Sequence, residues 1–382
     1  MPSQIKRIYL DHAATTPLDS GVFNCIKPYL TKIFGNASSQ HSFGREAAEG
    51  VTHARDELSV ALGAAPSELY FTGSGTEADN LGIKGIALAN CQRGRHIIVS
   101  AIEHPAVLES AKDLTAGGFE VSVVAPDCNG VVMAAAVERE LRTDTVLVAV
   151  MSANNETGVI QPVREIYDVV KAHGAYLWCD CVQSAGVLPA SRFPADGYAL
   201  SAHKFYGPKG VGAAVIKRGV RFVRQLSGGH QERGMRGGTT DTPAVVGMAQ
   251  ALRQSLACAD EENIRVAALR DEFERLVMQQ IAGATVNGAG AERLASHSNI
   301  SFSGCEGQNI VLLLDMHGVA ASTGAACSSG AATPSHVLKA MGLDEERVKS
   351  AVRFSFGREN TLSDVRCAVR IVKNVVMSIR GS

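Results

Sequence analysis

Several features that mark particular protein classes are absent from this sequence. No segment reaches the roughly 18 consecutive apolar residues that a membrane-spanning helix needs, and residues 1–10 hold no apolar stretch of signal-peptide length. Aromatic residues are scarce, at 5%, and 37 basic residues stand against 38 acidic ones, for a net charge of −1. This balance disfavours non-specific binding to nucleic acid or to a membrane surface, because such binding depends on excess positive charge.

The cysteines lack the spacing of a structural site. Their number, nine, is odd, and they include no Cys-x-x-Cys pair. The sequence therefore favours neither a disulfide framework nor a zinc ribbon, and it predicts no metal site. Since free thiols persist in a reducing compartment, we expect a cytoplasmic protein with no direct nucleic-acid or membrane partner.

The composition is that of a globular chain with two domains. Of its 382 residues, 46% are hydrophobic and 20% charged, which supplies enough apolar surface for more than one core. From about residue 68 to 218, strand-length apolar segments alternate with amphipathic helical segments, a rhythm typical of a mainly parallel sheet covered on both faces. Segments 198–201 and 211–217 have no helix between them and predict an antiparallel element that closes the sheet.

The pattern changes after residue 226. A glycine-rich loop over 227–240 leads into one long helical segment from Pro243 to about Gln280, and short strands and helices follow. We interpret residues 14–260 as a large α/β domain, and residues 1–13 plus 261–382 as a smaller α+β domain.

The residues after the first strand of this rhythm have the composition of an anion site. The predicted strand 68–72 runs into Gly73-Ser74-Gly75-Thr76-Glu77, where a helix begins. Glycines let backbone N–H groups face a ligand, Thr76 adds a hydroxyl, and a helix N-terminus favours negative charge, so a phosphate fits. A capped turn explains the same residues equally well. A nucleotide P-loop would need a lysine here, and a dinucleotide fingerprint a third glycine.

Polar residues also follow the other predicted strands. His104, Asn155, Asp180 and Lys204 each stand at or just after a strand end. Singly, each has an ordinary explanation, such as a helix cap, a turn or a solvated lysine. Ligands bind at the carboxyl ends of such strands, so together these side chains predict a shared site. An amine, a carboxylate, a flat ring and an anion cradle are what pyridoxal phosphate requires.

These residues belong to a larger set of motifs. The motifs are LDHAATTP (10–17), FGNASS (34–39), GTE (75–77), EHP (103–105), NNETG (154–158), SAHK (201–204) and GAAC (324–327). In this order, and over nearly the whole chain, they resemble the cysteine desulfurases of the NifS/IscS type, which are pyridoxal-phosphate enzymes of the class V aminotransferase family. The resemblance implies a homodimer of the aspartate-aminotransferase-like fold (fold type I), with a large cofactor domain and a smaller domain that carries Arg353 and the Cys327 loop.

The resemblance implies a role for each cofactor residue. Lys204 resembles the lysine that binds the cofactor covalently, Asp180 the partner of the pyridine nitrogen, and Gln183 the partner of the phenolic oxygen. His104 resembles the ring-stacking histidine and is a candidate for proton transfer. The phosphate ligands implied in the same way are Gly75, Thr76, Ser201 and His203, with Thr239 supplied by the other subunit.

Substrate and sulfur chemistry have their own candidates. Arg353 resembles the residue that binds the substrate carboxylate, with Asn155 beside it, and a guanidinium fork suits that role because it pairs both oxygens. Most free cysteines are small buried hydrophobes, but Cys327 lies in a run of small residues, 322–332, that favours a loop. It resembles the family's nucleophile. The loop length before Pro334 resembles the long-loop group, whose persulfide passes directly to protein acceptors.

The implied activity converts L-cysteine to L-alanine and leaves a persulfide on Cys327 for a protein acceptor. A selenocysteine lyase or another aminotransferase-like enzyme shares the fold, although a cysteine in a loop disfavours an ordinary aminotransferase. A silent sulfur-relay or scaffold protein is the alternative from another class, and it would bind no cofactor. Iron–sulfur cluster assembly, tRNA thiolation and DNA sulfur modification all stay open as destinations of the sulfur.

Two cysteines depart from the family pattern. Cys179 and Cys181 flank Asp180, and strand alternation turns both away from the face that Asp180 uses. We therefore expect them to be structural, although thiols near a persulfide can exchange sulfur.

Overall fold

The computed structural model describes residues 6–324 and 334–381. Strands in these ranges are β1 (Ile8–Tyr9), β2 (Leu69–Thr72), β3 (His96–Ser100), β4 (Glu120–Val124), β5 (Thr145–Ala149), β6 (Tyr176–Asp180), β7 (Gly197–Ser201), β8 (Gly212–Ile216), β9 (Ala284–Val286), β10 (His297–Phe302), β11 (Val319–Ala320) and β12 (Ala351–Ser355). Helices are α1 (Ser20–Thr31), α2 (Ser42–Leu62), α3 (Gly75–Ala89), α4 (Pro105–Thr115), α5 (Ala134–Glu140), α6 (Val163–His173), α7 (Thr242–Ala257), α8 (Ala259–Gln280), α9 (Gly307–Met316), α10 (His336–Ala340), α11 (Glu345–Lys349) and α12 (Leu362–Gly381).

The largest sheet in the described ranges has seven strands, in the order β2-β8-β7-β6-β5-β3-β4. Strands β3 to β7 pair in parallel, as the alternation of strands and helices predicts. The expected antiparallel pair is confirmed, since β8 runs antiparallel to β7. The prediction that this element closes the sheet is wrong, because β8 also pairs with β2 and β2 forms the edge. In the β2–β8 pair, Leu69 lies opposite Val215, so the pairing joins segments that are far apart in sequence.

Helices cover both faces of this sheet. Residues of α3 and α4 pack on one face, and residues of α2, α6 and α7 on the other. One contact on the first face is unusually close, because a Cβ atom built on Gly82 would lie 2.2 Å from the Trp178 ring. The indole packs directly on the α3 backbone, and only glycine fits there. The sheet is therefore buried on both sides, which explains why its strands read as continuous apolar runs.

A second hydrophobic core lies around the antiparallel sheet β12-β10-β9. Phe273 of α8 packs against Phe354 and Phe356, with ring centroids 4.8 and 5.4 Å apart. Ile8 and Leu10 belong to the same core, where β1 pairs in parallel with β11. This grouping of residues from both chain ends supports the interpretation of a smaller domain, whose boundaries near residues 13 and 260 stay predictions.

The prediction of one long helix from Pro243 to about Gln280 is wrong in one respect. The structure has two helices, α7 and α8, that meet at Cys258, whose backbone angles of φ −116° and ψ 9° are not helical. Acidic residues in the first turn of α8 (Asp260, Glu261 and Glu262) favour a helix start there. None of the described helices combines the length and the apolarity that crossing a membrane demands.

Candidate active site

The polar residues that follow the strands line one cavity of about 300 Å³. The loops after β2, β3, β5, β6 and β7 all contribute to it, as does β12 of the smaller sheet. The predicted site residues among its lining are Gly75, Thr76, His104, Asn155, Asp180, Gln183, Ser201, His203, Lys204 and Arg353. The structure thus brings these side chains together, while the role of each stays a prediction.

Lys204 lies in a short 3₁₀ turn, Ala202–Lys204, directly after β7. Its Nζ atom donates hydrogen bonds to the carbonyl oxygens of Ala13 at 2.6 Å and Ala14 at 2.8 Å. Gln183 Nε2 donates to the same Ala13 oxygen at 3.1 Å. The N-terminal segment therefore fixes both the amine and the amide at the edge of the cavity.

His104 caps the N-terminus of α4, with its Nδ1 atom accepting from the backbone N–H of Ala106 at 3.1 Å. That bond leaves the neutral ring with its proton on Nε2. Burial lowers the pKa of His104, as does the charge of Lys204, although Asp180 opposes them. The imidazole is therefore neutral at pH 7, which suits a ring that lies against an aromatic cofactor.

Asp180 ends β6 and is buried. Its carboxylate accepts a hydrogen bond from the backbone N–H of Val182 at 2.8 Å. Burial raises the pKa of Asp180, while the hydrogen bond from Val182, the charge of Lys204 and any positive charge on His104 would lower it. A buried carboxylate needs a cationic partner to stay ionised, and a protonated pyridine nitrogen would provide one.

The turn at the start of α3 has the shape of an anion cradle. Ser74 caps the helix by accepting from the Glu77 backbone N–H at 3.1 Å. A Cβ atom on Gly75 would lie 2.8 Å from Val182 Cγ2 and 3.3 Å from Ser201 Cβ, so only bare backbone fits there. The exposed N–H groups of a helix N-terminus, with nearby hydroxyls, form a phosphate site.

His203 lines the same cavity in neutral form. Its Nδ1 atom lies 3.1 Å from the Thr15 hydroxyl. Burial, together with the charges of Lys204 and Lys209, lowers the pKa of His203 to about 4. The amine, the buried carboxylate, the ring and the cradle together fit pyridoxal phosphate.

Arg353 reaches the cavity from β12 and is buried. Its Nη1 atom donates to the carbonyl oxygen of Asn155 at 2.9 Å, and Nη2 donates to Asp11 Oδ1 at 2.8 Å. The Nε atom has no hydrogen-bond partner in the described part of the chain. Asn155 therefore lies beside Arg353, as the resemblance implies, while Asp11 was not predicted as a partner.

Two predicted residues are not placed in this cavity. Thr239 is exposed and does not contribute to the lining. Cys327 lies outside the described residues, but Gly324, three positions before it, lines the cavity.

Sequence reasoning missed several buried acids near the site. Asp79 lines the cavity, accepts from Trp178 Nε1 at 2.9 Å, and has its pKa raised well above the usual range by burial and by Asp180. Glu103 and Glu156 are also buried, directly beside motif residues. An acid inside an apolar helix was the available sequence signal for Asp79, whereas Glu103 and Glu156 stand within the EHP and NNETG motifs, which carry no signal of their burial.

The predicted face of Cys179 and Cys181 is confirmed. Both side chains lie in the core on the α2, α6 and α7 side of the sheet, with their Sγ atoms 3.6 Å apart. Burial raises the pKa of the Cys179 thiol well above the usual range. A thiol that stays protonated is a poor nucleophile, which supports a structural role.

Comparisons with known proteins agree on one family. Residues 8–367 match the family model "Aminotransferase class-V". The chain is 40% identical over 377 residues to "Cysteine desulfurase IscS" of Dictyoglomus turgidum (strain DSM 6724 / Z-1310), which covers 98% of this chain and 96% of that protein.

Solved structures show the same relationship. A "NIFS-LIKE PROTEIN" superposes with a TM-score of 0.91 at 34% identity, covering 97% of this chain and all of that one. "SspA in complex with cysteine" superposes with a TM-score of 0.80 at 32% identity, covering 91% and 98% of the two chains. These likenesses confirm the predicted fold and favour a desulfurase over a selenocysteine lyase. The chain belongs to the class V aminotransferase family and, within it, to the pyridoxal-phosphate-dependent cysteine desulfurases of the NifS/IscS type.

Proposed function

We propose that this chain converts L-cysteine to L-alanine and carries the removed sulfur as a persulfide on Cys327. The observation that supports this most is the convergence of Lys204, Asp180 and Arg353 on one cavity whose lining extends to Gly324. The relative solved with bound cysteine supports L-cysteine as the substrate.

Different residues around the cavity bind the substrate and transfer its proton. Arg353 holds the substrate carboxylate, since its fork is fixed in the cavity wall. Lys204, held by two carbonyl oxygens, takes up the α-proton, and neutral His104 is a second proton carrier. When bound, pyridoxal phosphate supplies an electron sink for the charge left on the substrate carbon.

Cys327 supplies the nucleophile. Its thiolate attacks the sulfur of L-cysteine, so that an S–S bond forms while the substrate's C–S bond breaks. The electron pair of the broken bond stays with the substrate carbon, which takes up a proton and becomes the methyl group of alanine. The enzyme keeps the second sulfur atom as a persulfide.

Two variants test this proposal. Lys204→Ala should lose both the visible absorbance of bound cofactor and all turnover. Cys327→Ser should keep that absorbance but release no sulfide under a thiol reductant and gain no sulfur atom by mass spectrometry. Cys128→Ser, at an exposed cysteine, is the matched control and should behave like the wild type. Full-rate desulfuration by Cys327→Ser would contradict the proposal.

We propose further that the enzyme is a homodimer in which Thr239 of one subunit binds the phosphate in the other. In support, Thr239 is exposed and outside its own cavity, on a segment anchored by Arg236 to Glu77. Mixed dimers of Lys204→Ala and Thr239→Ala subunits test this, because one of their two sites would hold both intact residues. If mixing restores no activity beyond that of the separate variants, the shared site is wrong.

The destination of the sulfur is proposed only as a class. A persulfide on Cys327 would pass to a cytoplasmic protein acceptor, in iron–sulfur cluster assembly, tRNA thiolation or DNA sulfur modification. Capture of partners by the persulfidated enzyme, followed by mass spectrometry of sulfur transferred to them, separates these pathways. Transfer to small thiols alone would contradict a protein acceptor.

A further inference from the structure

Glu156 is a buried carboxyl that the proposed chemistry does not use. It is 2% exposed and follows Asn155 in the loop after β5. Its backbone N–H donates to Asn154 Oδ1 at 2.9 Å, and its carbonyl oxygen accepts from Asn299 Nδ2 of β10 at 3.3 Å. The backbone of Glu156 is therefore held between the large and the small sheet.

The Glu156 side chain contacts the chain on both sides of residues 325–333. Its Oε2 atom accepts a hydrogen bond from Ser335 Oγ at 2.6 Å. Gly324 packs against the same carboxylate, because a Cβ atom there would lie 2.7 Å from Oε2, and its φ of +84° also favours glycine. One carboxyl thus contacts the residues that precede and follow the segment containing Cys327.

The same two chain ends are tied to the substrate site. Ser322 and Arg353 exchange backbone hydrogen bonds of 3.1 and 2.6 Å. His336 Nε2 donates to the carbonyl oxygen of Glu103 at 2.9 Å, directly before His104. Shifts of these ends would therefore move the points from which the Cys327 segment extends, relative to a substrate on Arg353.

We propose that Glu156 is a positioning residue for sulfur transfer, which fixes both ends of the Cys327 segment relative to bound substrate. This inference rests on the proposed function, in which Cys327 accepts the sulfur. A nucleophile misplaced by about 1 Å loses rate rather than substrate affinity, by up to roughly a hundredfold. The required property is a hydrogen-bond acceptor opposite Ser335, so an amide can replace the carboxyl.

The test uses Glu156→Ala, Ser335→Ala and Glu156→Gln in the holoenzyme. We expect the first two to lower kcat about tenfold, with the KM for L-cysteine and the visible cofactor absorbance unchanged. Glu156→Gln should stay within about threefold of wild type, because its amide oxygen still accepts from Ser335. Asp344→Ala is the matched control: Asp344 caps α11 as Ser335 caps α10, without contacting Glu156.

Several outcomes overturn the inference. A tenfold rise in KM with unchanged kcat would mean that Glu156 only supports the substrate pocket, and unchanged kinetics would mean that it positions nothing. An equal loss of kcat in Asp344→Ala would assign the effect to helix capping. If Glu156→Ala does not fold, Ser335→Ala decides alone. Wild-type enzyme that forms no persulfide in the same assay contradicts the proposed function instead, so the two failures are distinguishable.

Discussion

The Nη2 atom of Arg353 lies 2.8 Å from Oδ1 of Asp11, so the guanidinium assigned to the substrate already has a carboxylate partner. The Arg353 side chain is 4% exposed and that of Asp11 20%. Together with the bond from Nη1 to Asn155, this contact sets the plane of the guanidinium before substrate arrives. A preset fork lowers the entropic cost of binding a carboxylate.

Replacing the planar guanidinium of Arg353 by a lysine ammonium tests this arrangement. Arg353→Lys should raise the KM for L-cysteine at least about tenfold and change kcat less, because an ammonium cannot hold Asp11, Asn155 and a substrate in one plane. Steady-state kinetics measure both constants. Arg293→Lys is the control, since Arg293 makes a similar two-armed contact with Glu274 outside the cavity lining. An unchanged KM in Arg353→Lys would rule out the substrate role.

The pair of Arg236 and Glu77 should support cofactor binding. Arg236 donates from Nε at 2.7 Å and from Nη2 at 3.2 Å, and Glu77 also accepts from the Gly73 backbone N–H at 2.7 Å. Because these contacts hold the turn at the start of α3, Arg236→Met should weaken cofactor binding about tenfold, or roughly 1.4 kcal/mol. Titration of the apoenzyme with pyridoxal phosphate measures the affinity.

The control for this prediction is Arg275→Met. Arg275 makes a comparable fork contact with Glu272, but on an exposed stretch of α8. Surface pairs of this kind contribute little, so its cofactor affinity should equal that of the wild type. Equal losses in both variants would show that the Arg236 contact acts only through general stability.

Because the Glu103 carboxyl is buried, we expect the folded protein to lose stability at alkaline pH. Its Oε1 atom accepts from Ser100 Oγ and from the Met151 backbone N–H, and Oε2 has no partner within the described residues. Burial raises the pKa of Glu103 from 4.5 to about 8. Between these values the folded protein holds a proton that the unfolded chain has lost, so stability falls as pH rises through the window.

Glu103→Gln removes this titration while its amide oxygen keeps both accepted bonds. The free energy of unfolding of the wild type should therefore fall relative to that of the variant between pH 5 and pH 9. The difference should change by on the order of 4 kcal/mol. Urea unfolding at several pH values measures the difference. Glu109→Gln on the exposed side of α4 should follow the wild-type curve, and parallel curves for Glu103→Gln would exclude a buried titrating carboxyl.

Because Gly82 packs tightly against Trp178, adding a side chain at this position should destabilise the protein. A Cβ atom on Gly82 would lie 2.2 Å from two ring atoms of Trp178, and the indole cannot yield easily because its Nε1 donates to Asp79. Gly82→Ala should therefore lower the free energy of unfolding by about 3 kcal/mol, at the upper end of overpacking effects. Gly381→Ala should leave it unchanged, because no atom of the described residues lies within 4 Å of its Cβ position. Equal stability of both variants would contradict the close packing.

Local patterns in the sequence were sufficient to predict much of the site. The motif around Ser74 and Gly75 predicts a capped helix start, and the structure shows that cap. His104, Asp180 and Lys204 share one cavity because parallel strands end at one edge of a sheet. Each of these inferences needs only neighbours along the chain and a rule about sheets.

Other features could not be read locally. The break at Cys258 interrupts a segment of continuous helix propensity, and the acidic first turn of α8 is a weak local signal for it. The structure shows what the pattern does not, namely that α7 and α8 pack in different cores. The position of β8 inside the sheet depends on its pairing with β2, more than 130 residues earlier in the chain. Propensity and periodicity carry no information over that distance.

The sequence by itself determined the family, the parallel part of the sheet and the order of its functional residues, since these depend on local periodicity and on motifs read in order. Only the tertiary structure decided which polar side chains contact each other. Asp11 and Arg353 are 342 residues apart, and Glu156 and Ser335 are 179 residues apart. Burial and pairing set the ionisation and orientation of such groups, and both come from neighbours that only the folded chain brings together.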